Sequence, residues 1–505
     1  MLTKISSVSI NWLEWNKIDV EVDIANWMPN FNIVWLADTA ILESRERIRT
    51  AIRNSWLHFP QTRITVNLAP ADIRKSWPSF DLPIAVWILW TDLEFKEEYL
   101  LSWLFIWELA LDWKIRWVSS VLPSVIFAKE NCFNYVFLPK DNLEEAKLIP
   151  DIKIIWVSDL WELLSILIWE ENPNIEYNSK FIQPKENWDS YDLLSMVIWQ
   201  SAAKRALLIA AAWWHNILLE WPPWSWKTML AKGISSILPP MELSEIIEAS
   251  KIYSVAWLLN KEKPLIIKRP FRTIHHTAST VSVIWWGRDS RPWEISLAHK
   301  WVLFLDEFLE FESELIETLR QPMEDGEITI NRINASYRYP AKFMLIWALN
   351  PCPCWFYMDK EKECKCSQYS IERYRKKLSW PMLDRIDIFI NVPRVKIEEF
   401  WNKDSWYNSL ELQQKVIDAR KIQLKRFIWS YKTYNSEMDN KDVENFCTLW
   451  NNEDKFIKNA VEKFDLSTRV YFRTLKLART IADLNWSEHI SVAHIAEALS
   501  LRWSH

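Results

Sequence analysis

The residues best suited to chemistry lie in HNILLEWPPWSWKTMLAKG, residues 215–233. HNILLE is an apolar run of buried parallel-strand type, and a helix is expected from about Lys227. Strand, short loop, Lys-Thr and helix make the frame of a phosphate-binding loop, G-x-x-x-x-G-K-[ST]. In such a loop the backbone N–H groups wrap the phosphates, and a Cβ at the small-residue positions would intrude. Here Trp stands at those positions, 221, 224 and 226. With Gly in their place, Trp221, Pro222, Pro223, Trp224, Ser225 and Trp226 form the ATP loop. Lys227 then reaches the β- and γ-phosphates, Thr228 ligates Mg²⁺, and the helix adds its positive N-terminal end. As printed, three indoles would fill the phosphate cavity.

Two further strands end in suitable groups. VLFLDE (302–307) closes on Asp306, suited to the Mg²⁺ shell, and Glu307, suited to polarising an attacking water. FMLIWALN (343–350) closes on Asn350, which could orient that water. Standing alone, two acids at a strand end are commonplace, and an Asn before Pro is usually a turn. Cys352, Cys354, Cys364 and Cys366 form a C-x-C…C-x-C pattern. Four thiolates could close a tetrahedral structural Zn²⁺ site that staples an insertion, 351–367. Reduced free thiols are the alternative, and a disulfide suits the compartment less well. Cys132 and Cys447 stand apart and read as ordinary thiols.

The composition carries an anomaly of the same kind. The chain of 505 residues has 3 Gly and 36 Trp. About 7% Gly is usual, so roughly 35 would be expected. Trp sits at turns, beside Pro and in pairs within small-residue stretches (AAAWWHN, VIWWGRD), where positive φ or close backbone approach favours Gly. Some bacterial lineages read UGA as glycine, and a table reading UGA as Trp would print this sequence. Most Trp are therefore expected to be Gly in the cell.

The remaining composition bounds the class. Lys plus Arg is 61 and Asp plus Glu is 66, a net charge of −5, so any nucleic-acid contact must be a local patch. No apolar run approaches a membrane span, and MLTKISSVSI has no signal-peptide core; a cytoplasmic protein without membrane contact is expected. Residues 1–168 read as mixed α/β, with strand-like runs at 20–24, 31–35, 63–68 and 135–139 and an amphipathic helix over 37–55. A polar linker, 169–190, precedes a strand–helix alternation over 191–395, and 396–505 is mostly helical.

The chain resembles the YifB/ComM family of magnesium-chelatase-like AAA+ ATPases over nearly its whole length. The motifs are VEVDIANW, VNLAPADIRKSWPSFDLPIAVWIL, FIWELALDWKIR, RPFRTIHHTAST, RPWEISLAHKWVLFLDE, LRQPMEDGEITINR, NPCPCW and LDRIDI. The family has Gly where this chain prints Trp27, Trp77, Trp87, Trp107, Trp113, Trp293, Trp301 and Trp355. The resemblance implies an α/β architecture of three parts. These are an N-terminal α+β domain similar to the Lon-protease and RadA fold, a AAA+ P-loop NTPase domain with a parallel sheet, and a C-terminal helical lid. A Lon-like domain raises peptidase activity through a Ser–Lys pair, but Ser119 and Ser120 near Lys114 do not make a defensible one. The resemblance also implies an arginine finger at Arg385, whose alternative is an ion pair with Asp384 or Asp387. It implies a sensor arginine at Arg469, behind the N-cap Ser467, with Arg473 competing for that role. A finger acting in trans needs an oligomer, and the family's rings suggest a hexamer.

For DNA the candidates are local. GEITINR and SYRYPAK suggest a hairpin bearing Arg332, Arg338 and Lys342, which in related modules lines the ring pore. A loop with His275, His276, Arg288 and Arg291 could also hold backbone phosphates. Either could equally be a solvated charged loop. Trp285 and Trp286 resemble stacking aromatics but fit better as glycines. The expected function is an ATP-hydrolysing ring motor on DNA, of helicase or branch-migration type, using ATP, Mg²⁺ and a structural Zn²⁺. The alternatives are a chelatase-type remodeller of a protein partner, or a non-catalytic scaffold if Trp221, Trp224 and Trp226 are genuine.

Overall fold

The computed structural model describes residues 3–11, 14–34, 39–69, 80–90, 103–106, 108–118, 121–168, 174–177, 194, 200–220, 227–260, 262–263, 265–269, 271–278, 285–286, 291–292, 294–332, 335–357, 362–392, 409–430 and 432–502. They divide into two compact units: Met1–Lys185 with Glu242–Ile267, and Glu186–Met241 with Lys268–His505.

The first unit holds β1 (Thr3–Asn11), β2 (Glu14–Ala25), β3 (Asn30–Val34) and β4 (Arg63–Ala69), ordered β1-β2-β4-β3. β4 alternates exposed and buried positions, as RITVNL predicts for a half-covered strand. The helix Thr39–Asn54 buries Ile48, Ala51 and Ile52 in the same core as Val20, Val22, Ile64 and Val66. A second sheet contains β5 (Trp103–Phe105), β8 (Tyr135–Pro139), β9 (Lys153–Val157) and β10 (Ile175–Tyr177), ordered β10-β9-β8-β5. The short pair β6 (Glu108–Leu109) and β7 (Ile115–Arg116) stands apart. All the strand runs expected in this region, and its first helix, are found. The helix Leu243–Val255 also belongs here, with Ile247 and Leu265 against the core of the second sheet. The stretch expected to be one continuous domain over 191–395 is thus interrupted at Glu242–Ile267.

The second unit is built on a five-stranded parallel sheet, ordered β12-β15-β18-β11-β19. The strands are β11 (Ile217–Glu220), β12 (Phe271–Ile274), β15 (Val302–Leu305), β18 (Met344–Leu349) and β19 (Ile388–Asn391). β11, β15 and β18 are buried along their full length, the environment that continuous apolar runs require. Two hairpins lie outside this sheet, β13–β14 (Trp285–Trp286 with Arg291–Pro292) and β16–β17 (Glu327–Arg332 with Ala335–Pro340). From Ser409 the chain is almost wholly helical, as expected. Leu475, Ala478, Ile481 and Ile495 of those helices share one core with Ile217, Phe304, Ile346 and Ile388. The helical part therefore does not form a separate compact unit.

Among the described residues, twelve other than Gly have positive φ, and six of them are Trp: 56, 113, 214, 257, 355 and 486. A left-handed conformation costs an L-residue roughly 1–2 kcal/mol, and bulky residues rarely adopt it. Three of these Trp close helices in one way. Trp56, Trp257 and Trp486 donate to Arg53, Ser254 and Asp483, while Leu57, Leu258 and Ser487 donate to Ile52, Tyr253 and Ala482. This is the Schellman closure, whose left-handed position is usually Gly. Trp56 is 94% exposed, so its indole gains no packing in return. Conversely, the Nε1 groups of Trp213 and Trp347 are buried without a hydrogen-bond partner, a cost of about 1–3 kcal/mol each.

Trp56→Gly, Trp257→Gly and Trp486→Gly should each stabilise the printed chain by about 1 kcal/mol in thermal unfolding. Trp161→Gly, inside the helix Leu160–Leu167, should instead destabilise it by about 1 kcal/mol. Equal responses at all four positions would remove the conformational argument for glycine.

Candidate active site at the strand ends

The parallel register brings three strand ends together. Glu220 of β11 pairs with Leu349 of β18, and Leu305 of β15 pairs with Trp347. Residues following β11, β15 and β18 therefore emerge side by side at the carboxyl edge of the sheet. In an open α/β sheet this edge is where ligands bind.

Trp221, Pro222, Pro223, Trp224, Ser225 and Trp226 lie outside the described residues. The frame around them is the expected one: β11 ends at Glu220 and a helix runs from Lys227 to Gly233. Thr228 is half-buried in its first turn. Asp306 follows β15, and its Oδ1 accepts the Glu307 N–H at 2.9 Å. Glu307 has φ 52°, a strained conformation of the sort that collects at functional sites. Asn350 is buried directly after β18. The parallel register thus puts Asp306, Glu307 and Asn350 at one edge, and Thr228 lies in the first turn of the helix that follows β11. Thr228 and Asp306 supply oxygen donors suited to Mg²⁺, and the helix end beside Lys227 suits phosphate.

Two partners at this edge were not foreseen in these roles. His276 Nδ1 lies 3.2 Å from Glu307 Oε2, so a residue expected in a DNA-contacting loop holds the candidate base. Arg375 donates to Glu220 Oε1 at 2.6 Å, immediately before the phosphate loop, and its guanidinium lies 5.3 Å from the Tyr357 ring centroid. Arg375 and Glu220 are 155 residues apart, and no local pattern announces the pair.

The two arginines given trans or sensor roles converge on one acid. Arg385, 5% exposed, binds Glu324 and the Pro381 carbonyl. Arg469 Nη2 lies 3.2 Å from Glu324 Oε1. Burial would raise the Glu324 carboxyl, but Arg469 and Arg385 outweigh it and hold the group low. The internal partner of Arg385 is therefore Glu324, not Asp384 or Asp387. Arg473 donates to Asp387 at 2.9 Å, which commits it to a different site from Arg469.

Asp387 opens β19. Its carboxylate lies 3.1 Å from His215 Nδ1, and His215 Nε2 lies 2.9 Å from Thr480 Oγ1. Burial alone would raise this carboxyl, but Arg473 and then His215 hold it far below the usual range. The network joins the segment before β11, the start of β19 and the helix Thr468–Leu484.

Of the DNA-contact candidates, Arg338 is exposed on β17, 3.7 Å from Glu327. Arg332 ends β16, and its side chain lies outside the described residues. Lys342 lies beyond the hairpin, where its Nζ pairs with Glu437 at 3.2 Å. Its aliphatic stem occupies the space a Cβ on Gly326 would need, which identifies Gly326 as a required glycine at φ 69°. Arg288, Ser119 and Ser120 lie outside the described residues, as do the side chains of Arg291, Trp285 and Trp286.

Cys352, Cys354, Cys364 and Cys366 come together. Their sulfurs all lie within 4.8 Å of one another, and all four thiols are free. Burial pushes Cys352 up to about 12. Burial also opposes ionisation of Cys354, yet hydrogen bonds led by the Phe356 N–H bring it down to about 6.

The strand order, the strand–loop–helix frame and the acids after β15 define an α/β domain of P-loop ATPase type. Models of the magnesium chelatase subunit ChlI match residues 193–400, those of subunit ChlI of Mg-chelatase match 20–142, and those of the ChlI C-terminal part match 407–502. Competence protein ComM of Haemophilus influenzae is 37% identical over 491 residues, covering 96% of this chain and 94% of its own. YifB of Salmonella typhimurium is 35% identical over 488 residues, with 96% and 94% coverage. A Mycobacterium tuberculosis protein, Rv2897c, is 34% identical over 497 residues, with 98% and 97% coverage. The chain belongs to the ComM/YifB family of magnesium-chelatase-like AAA+ proteins. Among the described residues, no helix is long and apolar enough to cross a membrane.

Asp387→Asn should lower stability by about 3–5 kcal/mol near neutral pH, because it leaves Arg473 facing a neutral partner in a buried network. The wild-type contribution is present above the ordinary carboxylate range and is lost as pH falls through and below about 4. Denaturant unfolding of both forms between neutral and acid pH measures this. A constant difference across that range would contradict the assignment.

Proposed function

We propose that the chain is an ATP-hydrolysing ring motor acting on DNA, of helicase or branch-migration type, serving recombination or natural transformation. The observation that carries this reading is the position of Asp306, Glu307 and Asn350 after neighbouring strands at the carboxyl edge of one parallel sheet, next to the end of β11, which the helix bearing Thr228 follows. Lys227 and the loop amides would hold the phosphates, and Thr228 and Asp306 would hold Mg²⁺. The metal's contribution when bound is to neutralise phosphate charge. Glu307 would accept a proton from the attacking water, and Asn350 would orient that water. His276 would hold Glu307 until the water is in position.

The reading requires Gly at 221, 224 and 226. The left-handed Trp at helix ends support the same substitution elsewhere in the chain. Arg385 would act as the finger on a neighbouring copy's site, and Arg469 as the sensor. Both roles require release from Glu324, so that acid would restrain them between cycles. The ring is read as a hexamer in the cytoplasm, with the Lon-like domain in the first unit. Four thiols would hold a structural zinc ion. DNA is favoured as the partner by the exposed Arg338 hairpin and by the competence name of the Haemophilus relative. The chelatase description of the matching models favours, as second reading, a remodeller of a protein partner.

Tandem mass spectrometry of the native peptide spanning 215–232 should read Gly at 221, 224 and 226. The full chain made with Gly there should hydrolyse ATP faster when DNA is added. Glu307→Gln in that form should reduce turnover about 100-fold or more while retaining nucleotide binding. Turnover indifferent to DNA would favour the remodeller, and absence of nucleotide binding would leave the scaffold.

A further inference from the structure

The four-thiol cluster sits where it can do more than staple a loop. Cys352 follows Asn350 by two residues and is fully buried. The segment from the cluster to Lys377 touches the neighbouring strand ends. Arg375 binds Glu220, ahead of the phosphate loop, and Lys377 Nζ donates to the Leu309 carbonyl, just past Glu307, at 2.6 Å. Tyr357, three residues after Cys354, lies against Arg375. Arg375, Lys377 and the residues directly after Asn350 therefore border all three strand ends that carry candidate catalytic groups.

The sulfur geometry suits a metal. Cys352 and Cys354 are 3.4 Å apart, Cys352 and Cys364 3.7 Å, and Cys354 and Cys364 3.5 Å. Sulfurs at the corners of a tetrahedron around Zn²⁺, with Zn–S of about 2.3 Å, lie roughly 3.8 Å apart. A disulfide needs sulfurs at about 2.05 Å, so these thiols are spaced for coordination. The turn between the first two ligands is closed by the Trp355 N–H donating to the Cys352 carbonyl at 2.9 Å, with φ 74° at residue 355. That turn aims both sulfurs at the same point. The neighbouring Lys362 and Lys365 offer positive charge to an anionic tetrathiolate.

We propose that Cys352, Cys354, Cys364 and Cys366 bind one Zn²⁺ with loss of their thiol protons, and that the ion fixes the segment from Asn350 to Lys377 against the ends of β11, β15 and β18. The metal is then a positioning device for Asn350 and for the Arg375–Glu220 pair. What those groups are positioned for rests on the ATPase reading; the binding of the metal does not.

Elemental analysis of the full chain, purified without chelator, should find one zinc per chain. Cys354→Ser should lose it, and Cys364→His, which keeps a zinc ligand, should retain it. Tryptic cleavage after Lys362 and Lys365 should be slow in the zinc form and fast once a chelator has removed the metal. Absence of zinc, or a Cys352–Cys354 disulfide in the reduced-handled protein, overturns the site. Zinc present with unchanged cleavage after chelation overturns the positioning role. Lys227→Ala, which removes a nucleotide contact, should leave zinc content and cleavage unchanged. A chain that binds no nucleotide but keeps both zinc responses would thus sink the ATPase reading and spare this one.

Discussion

The buried carboxylate of Asp387 is the constraint on which the second unit depends. An anion in this position would be costly without partners. Arg473 neutralises it, His215 Nδ1 lies at hydrogen-bond distance, and the Asn216 N–H adds a contact at 3.3 Å. These partners come from the segment before β11 and from the helix Thr468–Leu484, while Asp387 itself stands just before β19. Meeting the needs of one charge therefore sets the register of β11 against β19 and holds the helical region to the sheet. β11 ends at Glu220, directly before the candidate phosphate-binding residues, so the same charge fixes where that strand ends. This explains why the helices after Ser409 share a core with the sheet rather than forming a body of their own.

Much of the architecture was legible because it rests on local signals. HNILLE, VLFLDE and FMLIWALN are apolar runs that only a sheet covered on both faces accommodates, and each became a buried parallel strand. Their terminal residues were readable as site candidates because chemistry in such folds collects at strand ends. The four cysteines were readable because two C-x-C pairs in a long chain have few other uses. Their convergence needed the fold, since nine residues separate the pairs.

What was not legible depends on distance. Arg375 and Glu220 meet across 155 residues, and Arg469 and Glu324 across 145. No periodicity predicts such pairs, because each side chain alone reads as an ordinary surface charge. His276 was visible as half of a His-His motif, but its proximity to Glu307 follows from β12 and β15 being parallel neighbours. The excursion of Glu242–Ile267 into the first unit was hidden for a related reason. A helix with apolar spacing advertises that it needs a core without saying which one.

The tryptophans at positive φ carry a different kind of information. A backbone dihedral is set by hydrogen bonds and neighbours, many of which do not involve the side chain. It therefore retains a record of the residue for which the turn was shaped. Trp486, 66% exposed at the left-handed position of a Schellman closure, occupies a place built for a missing side chain. Trp103 lies in a strand with its ring against Phe105, Tyr135 and Phe137, as an indole would. The fold thus sorts one printed letter into two populations, and in that sense the geometry can proofread the translation table.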